Sequence, residues 1–242
     1  MKKITHWIYE DIIIVRSSFN ESLDTIDMNN LCKHLLFSEY DTYTNCILYK
    51  NLTGNSYDPM SKFVQPIVWL PLNITKLTLS ANYNCSLINP NLHITHLILG
   101  YNFNLPIDNL PCCLTHLTLG YKFNHLVDNL PTKLKCVIFG DHFNQIVDNL
   151  PQSLKTIIFG DNFNQSLDNL PQTLEIIFFG SSFNCTIDNL PNQLKYIKFT
   201  QYSYFSQKLN CLPDSIEYIG LNKKYKLPID KKPANLKQLE FI

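Results

Sequence analysis

The chain has 242 residues, 45% of them apolar and only 17% charged, with 20 basic and 20 acidic side chains and a net charge of zero. A neutral chain without a basic cluster argues against nucleic acid as a partner, and no stretch approaches the roughly 18 apolar residues that a membrane span needs. Eight cysteines with no Cys-x-x-Cys and no regular spacing suit a reducing cytosol better than a disulfide framework.

At the N-terminus Lys2 and Lys3 could open a signal peptide, but Glu10 and Asp11 interrupt the apolar run that should follow. Ile13, Val15, Phe19-Asn20 and Leu23-Asp24 have a spacing that returns later as Ile177, Phe179, Phe183-Asn184 and Ile187-Asp188. That is the pattern of a degenerate repeat, expected where a terminal unit must show one face to water. Residues 25–62, with Gly54 and Asp58-Pro59, read as an irregular stretch rich in turn signals. The chain therefore divides into a divergent N-terminal repeat or cap region, 1–62, and a repeat solenoid, 63–242.

From Phe63 onward one unit recurs. Phe103-Asn104, Phe123-Asn124, Phe143-Asn144, Phe163-Asn164 and Phe183-Asn184 fall at an unvarying interval of 20 residues. Between them runs Asp-Asn-Leu-Pro, two variable residues, Leu, two more, an aliphatic, one more, Leu or Phe, then Gly; Asp148 to Gly160 is one such run. Counting back reaches Asn91 and Pro71; counting forward reaches Pro191, then Pro213 after a two-residue insertion, and Pro233, for nine units up to Ile242. A fixed period of this length signals a solenoid, whose units bury apolar faces only against their neighbours.

Alternation of Val137 and Phe139 predicts a short strand over 136–139, repeated in parallel register about 4.8 Å away in each coil. Gly100, Gly120, Gly140, Gly160 and Gly180 follow the strands, where unusual backbone angles would suit a turn. Pro disfavours helix in the preceding residue, so Asp-Asn-Leu-Pro reads as extended or turn-like. The expected fold is mainly β: a leucine-rich-repeat-like open solenoid with a parallel β-sheet on the concave face, about 20 residues per coil and little helix.

The Phe-Asn pairs, the Leu-Pro dipeptides and the Leu-x-x-aliphatic-x-Leu/Phe-Gly strings, over residues 63–242, resemble the FNIP repeat family. This is a relative of the leucine-rich repeat found in amoebae and in giant viruses that infect them. The resemblance implies an architecture rather than an activity. Some members carry an F-box ahead of the repeats, which would imply a substrate-recognition subunit of a cullin-type ubiquitin ligase. Residues 1–62 lack the early Leu-Pro, the acidic residue after it and the apolar helical run of that motif, so this is the alternative reading.

The Phe column reads as core, with each ring contributing about 2 to 3 kcal/mol on burial. The Asn beside each Phe is expected to face inward and satisfy peptide groups at the bend. For that reason the triplets at Asn20, Asn164 and Asn184, three of six Asn-x-Ser/Thr sequences, read as chance rather than glycosylation sites. Asp108, Asp128, Asp148, Asp168 and Asp188 form a carboxylate ladder, expected to close Asx turns; cation binding would need oxygens converging on one ion.

Strand positions flanking the middle aliphatic face outward. There Ile138, Ile158, Ile176, Phe178, Tyr196 and Tyr218 make a contiguous apolar patch, the expected surface for an unidentified protein partner. His96, His116 and Cys136 have zinc-ligand chemistry, but a row on parallel strands does not make a tetrahedron, so neither metal nor cofactor is expected. No Ser/His/Asp set or phosphate loop gives catalysis a seat, and a non-enzymatic scaffold is expected. Phe241-Ile242 lies on the last strand with no polar cap after it, which allows end-to-end self-association; Lys223, Lys224, Lys226, Lys231 and Lys232 would oppose it.

Overall fold

The computed structural model describes residues 6–9, 11–15, 19–21, 23, 26, 32–37, 63–67, 70–86 and 93–242. Each coil repeats the same local events. A Pro-x-x-Leu turn, in which the Leu114 amide donates to the Pro111 carbonyl at 3.0 Å, recurs at Pro131/Leu134, Pro151/Leu154, Pro171/Leu174 and Pro191/Leu194. Proline suits the role because its missing N–H is not needed and its ring stops the chain from continuing as helix. A short strand follows, and a second turn brings the Phe103, Phe123 and Phe143 amides to the carbonyls of Gly100, Gly120 and Gly140. Two tight turns and an extended return segment use all 20 residues. Among the described residues there is no α-helix.

The strands are β1 (His6–Tyr9), β2 (Ile12–Val15), β3 (His34–Phe37), β4 (Lys76–Thr78), β5 (His96–Ile98), β6 (His116–Thr118), β7 (Cys136–Ile138), β8 (Thr156–Ile158), β9 (Ile176–Phe179), β10 (Tyr196–Phe199), β11 (Tyr218–Leu221) and β12 (Gln238–Phe241). They form one sheet in sequence order, parallel from β2 to β12, with β1 antiparallel at the edge. Register is kept coil to coil, Val137 opposite Leu117 and Ile157, so each side-chain position becomes a column. The expected parallel solenoid is the fold observed, with the 136–139 strand ending one residue earlier, at Ile138.

Leu114, Leu117, Phe123 and their equivalents are buried and form one continuous core, except in the last coil, where Leu236 and Leu239 are only partly buried. Equivalent Phe rings stack along the axis, Phe143 on Phe163 and Phe163 on Phe183 at 6.0 Å. From Phe139 onward a second aromatic column replaces Leu79, Leu99 and Leu119, and the two columns pack within a coil, Phe159 against Phe163 at 3.7 Å. Ring spacing between coils varies along the stack: 4.3 Å for His96 and His116 but 6.2 Å for Tyr196 and Tyr218 on the sheet's outer face, and 5.0 to 6.5 Å between Phe rings of neighbouring coils behind it. In leucine-rich-repeat solenoids the strands line the inner, concave face, and this sheet holds the same place in the coil.

The glycines act through space rather than backbone angle. Their φ values lie outside the left-handed region, but a Cβ on Gly120, Gly140, Gly160 or Gly180 would overlap the carbonyl of the glycine one coil earlier. The column is glycine because two turns touch, which corrects the expectation of special turn angles. Two expectations on stability follow. Phe163→Ala should lose about 3 to 5 kcal/mol in urea denaturation, more than Phe103→Ala, whose ring stacks, among the described residues, only on Phe123. Gly140→Ala should cost about 1 to 3 kcal/mol or more by overpacking against backbone, whereas Gly220→Ala, whose Cβ meets only side-chain atoms, should cost less.

Candidate functional site

The concave face carries two outward columns. The third strand position gives Ile138, Ile158 and Phe178 in register on adjacent strands, and the first gives Ile176, Tyr196 and Tyr218. All six are half-buried or exposed, with Tyr196 at 40% exposure, while the middle residues Val137, Ile157, Ile177, Ile197 and Ile219 are sealed in the core. The six residues singled out from the sequence are thus brought together as one stripe across five strands. The Tyr196 and Tyr218 rings lie 6.2 Å apart. Tyr218 lies over Gly220, in the space a side chain there would fill, and its hydroxyl donates to Glu240 Oε2 at 2.6 Å. Burial first, then the Glu240 carboxylate, pushes the Tyr218 phenol up to about 12.

One edge of the stripe is charged in alternation. Glu175 accepts from Lys155 at 2.7 Å and Lys195 at 2.9 Å, and Lys237 reaches Glu217 at 2.7 Å. Hydrogen bonds from Lys155, then Lys195, hold the Glu175 carboxyl below its usual range. These ions are well exposed, so their contribution is to register and to the polarity of the rim more than to stability. Toward the N-terminus the face becomes polar: Lys76, His96, His116 and Cys136 follow one another on β4 to β7. His34 Nε2 lies 2.8 Å from Thr78 Oγ1, which covers Thr78. Burial pushes the Cys136 thiol up, away from the reactive thiolate. Among the described residues no group of three or more His, Cys, Asp and Glu side chains could hold a metal ion.

The repeat columns have structural partners. Each Asn Oδ1 accepts the backbone N–H of the Asn one coil later, from Asn104 on Asn84 at 3.0 Å through Asn124, Asn144 and Asn164 to Asn184 on Asn164 at 2.9 Å. Ser206 takes the next step on Asn184 at 2.8 Å. The ladder runs along an outer corner, with Asn104, Asn124 and Asn164 exposed, which corrects the expectation that these side chains face inward. A carboxamide need only reach the amide above it, and at a corner it does so from the water side. The Asp ladder is bonded between coils as well: Asn129, Asn149 and Asn189 donate to Asp108, Asp128 and Asp168 at 2.9 to 3.1 Å. Asp168 also accepts from Ser166, and these bonds lower its pKa.

Three features of the face went unread in the sequence: the Lys155-Glu175-Lys195 chain, the Tyr218 ring over Gly220, and the pairing of Thr95 with His96 and Thr115 with His116. The last had a signal in the Thr-His dipeptide repeated at the coil period. The two-residue insertion makes a bulge that leaves Tyr202 and Tyr204 70% and 74% exposed.

Coils of this length, a parallel concave sheet and in-register side-chain columns define a leucine-rich-repeat-like solenoid. Within that class, residues 93–202 match the FNIP Repeat family model, in overlapping segments 93–122, 105–142, 123–162, 143–182 and 163–202. Among solved structures the chain is similar to CroV588, a giant-virus protein described as a novel circular LRR structure, with a TM-score of 0.68 and 28% identity. The match covers 98% of this chain and 41% of that one, so the chain spans less than half the length of that protein. No curated protein matches.

Asn144→Ala removes the acceptor for the Asn164 amide, but at a solvated corner that amide can turn to water. The expected loss is therefore the net value of a hydrogen bond, about 0.5 to 1.5 kcal/mol, read as a lowered urea midpoint. Acid should also weaken the fold. Burial, with Lys76 nearby, lowers His34 to about 4 from an ordinary 6.5, so between those values the unfolded chain binds the extra proton. Stability is full above pH 6.5 and falls toward pH 4; a His34→Gln variant should show a smaller drop in melting temperature between pH 7 and 4.5.

Proposed function

We propose that this protein is a non-catalytic scaffold that binds a protein partner through its concave face. The observation that carries the reading is the stripe of Ile138, Ile158, Phe178, Ile176, Tyr196 and Tyr218, which runs across neighbouring strands and stays partly open to water. A contiguous apolar patch with a polar rim is the usual mark of an interaction surface. The rim here is the Lys155-Glu175-Lys195 chain. Aromatic anchors add area at little entropic cost, and Tyr196 and Phe178 are placed to be the largest single contributors. The inward columns and the Asn and Asp corner columns are committed to packing and inter-coil hydrogen bonds, whereas this face can vary without disturbing the stack.

The test is affinity capture from amoebal lysate with three baits: wild type, Ile158→Glu/Phe178→Glu, and Asp128→Asn at the outer corner. Both side chains of the double variant are only partly buried, so it should keep the wild-type circular dichroism spectrum. The reading predicts proteins held by wild type and Asp128→Asn but lost from the double variant. Identical captures from all three baits would move recognition off the stripe.

A further inference from the structure

His96 and His116 occupy the same slot on β5 and β6, their rings stacked at 4.3 Å and within 4° of parallel. The residue before each fixes its tautomer. Thr115 Oγ1 donates its one proton to the Thr95 carbonyl at 3.0 Å, and Thr95 Oγ1 donates to the Thr75 carbonyl at 3.2 Å. Each hydroxyl also lies 2.9 Å from the Nδ1 of its own histidine. With its proton already given to a carbonyl, the hydroxyl must accept there, so Nδ1 carries the hydrogen. In the neutral state Nε2 is then the bare nitrogen of both rings, and it gains a proton only on charging.

Protonation converts the pair from two acceptors to two N–H donors side by side, next to the Lys76 ammonium on β4. Such an edge could face a cation or an anion. Parallel rings carry Nε2 lone pairs that run side by side instead of converging, which does not suit a tetrahedral ion, and Lys76 repels a cation. Among the described residues the titratable groups acting around the pair are Lys76, Lys135 and His34, with Cys136 on the following strand and the Asp11 carboxylate acting on His34. A row spanning three strands, about 10 Å at the strand spacing, matches successive carboxylates of an extended chain better than one compact phosphate.

We propose that Lys76, His96 and His116 form a proton-gated site on the concave face for an acidic peptide segment. The gate follows from the stack. Without a ligand, two imidazolium rings at this distance repel, and a bound carboxylate removes that repulsion by accepting from both Nε2–H groups. Burial, followed for His96 by His116 and Lys76 and for His116 by Lys135 and Lys76, holds both rings below the ordinary histidine range. The free site is therefore mostly neutral at pH 7 and takes up protons with its ligand. The site shares no side chain with the apolar stripe, so it stands whether or not that stripe binds a protein.

Long-range ¹H–¹⁵N spectra of ¹⁵N-histidine protein, titrated from pH 8 to pH 5 with and without a tri-glutamate peptide, test this directly. The expected result is the Nδ1–H tautomer for both residues at pH 8, and midpoints that rise when the peptide is present. Affinity should increase as pH falls, by up to about tenfold per pH unit for each proton taken up with the ligand. His96→Gln/His116→Gln should abolish the pH dependence, and Lys76→Met should weaken binding while keeping it. An Nε2–H tautomer at pH 8, midpoints unmoved by saturating peptide, or an affinity flat from pH 7 to pH 5 would overturn the proposal. Tighter binding of inorganic phosphate than of the peptide would overturn the choice of ligand.

Discussion

Among the described residues, no coil has a core of its own. A strand of three or four residues and two tight turns enclose too little volume, so nearly every buried side chain is buried by the coil before and the coil after. Everything else depends on that contact between coils. It sets the period, because an extra residue would move a Phe out of its column. It also explains the glycine at the second turn, where successive backbones approach too closely for a Cβ. The two-residue insertion before Phe205 shows how the constraint is met elsewhere. The chain bulges outward at Tyr202 and Tyr204, and Phe205 returns to stack on Phe183 at 6.1 Å.

Division of labour among the columns follows from the same geometry. Inward columns supply the apolar energy, and corner columns of Asn and Asp tie one coil to the next through side chains spaced by the period. Like exposed positions off the sheet such as Leu126 and Ile146, the outward positions on the sheet escape both duties. Their chemistry changes along the axis, from Lys76, His96 and His116 through Ile138, Ile158 and Phe178 to Tyr196 and Tyr218. A periodic scaffold carrying a non-periodic face is what a recognition surface on a solenoid requires.

Much of this was legible in the sequence because the repeat amplifies weak signals. One Leu-x-x-Val-x-Phe string could be helix or strand; nine in phase cannot shift by a residue without moving every column together. The outward stripe could be read the same way, by position. What could not be read was partner choice within the polar columns. Asn104 and Asn124 looked like inward residues because they adjoin buried Phe, yet side chains alternate in direction, and the neighbour of a buried residue at a corner points to water. Asp128 could have bonded to its own turn, and only the coil spacing shows that Asn149 reaches it first. The Tyr218 ring over Gly220 depends on a rotamer, which no spacing encodes.

The most direct test of the stacked-coil account is native-state hydrogen exchange at the amides of Asn104, Asn124, Asn144, Asn164 and Asn184. These residues lie on the solvated corner, and in a lone coil their amides would exchange like those of a loop. If inter-coil contact holds the structure, all five should be protected to a degree comparable with the strand amides of β5 to β9. Exchange at the rate of an unstructured peptide, with the strands still protected, would contradict the account by showing that the corner ladder does not join the coils.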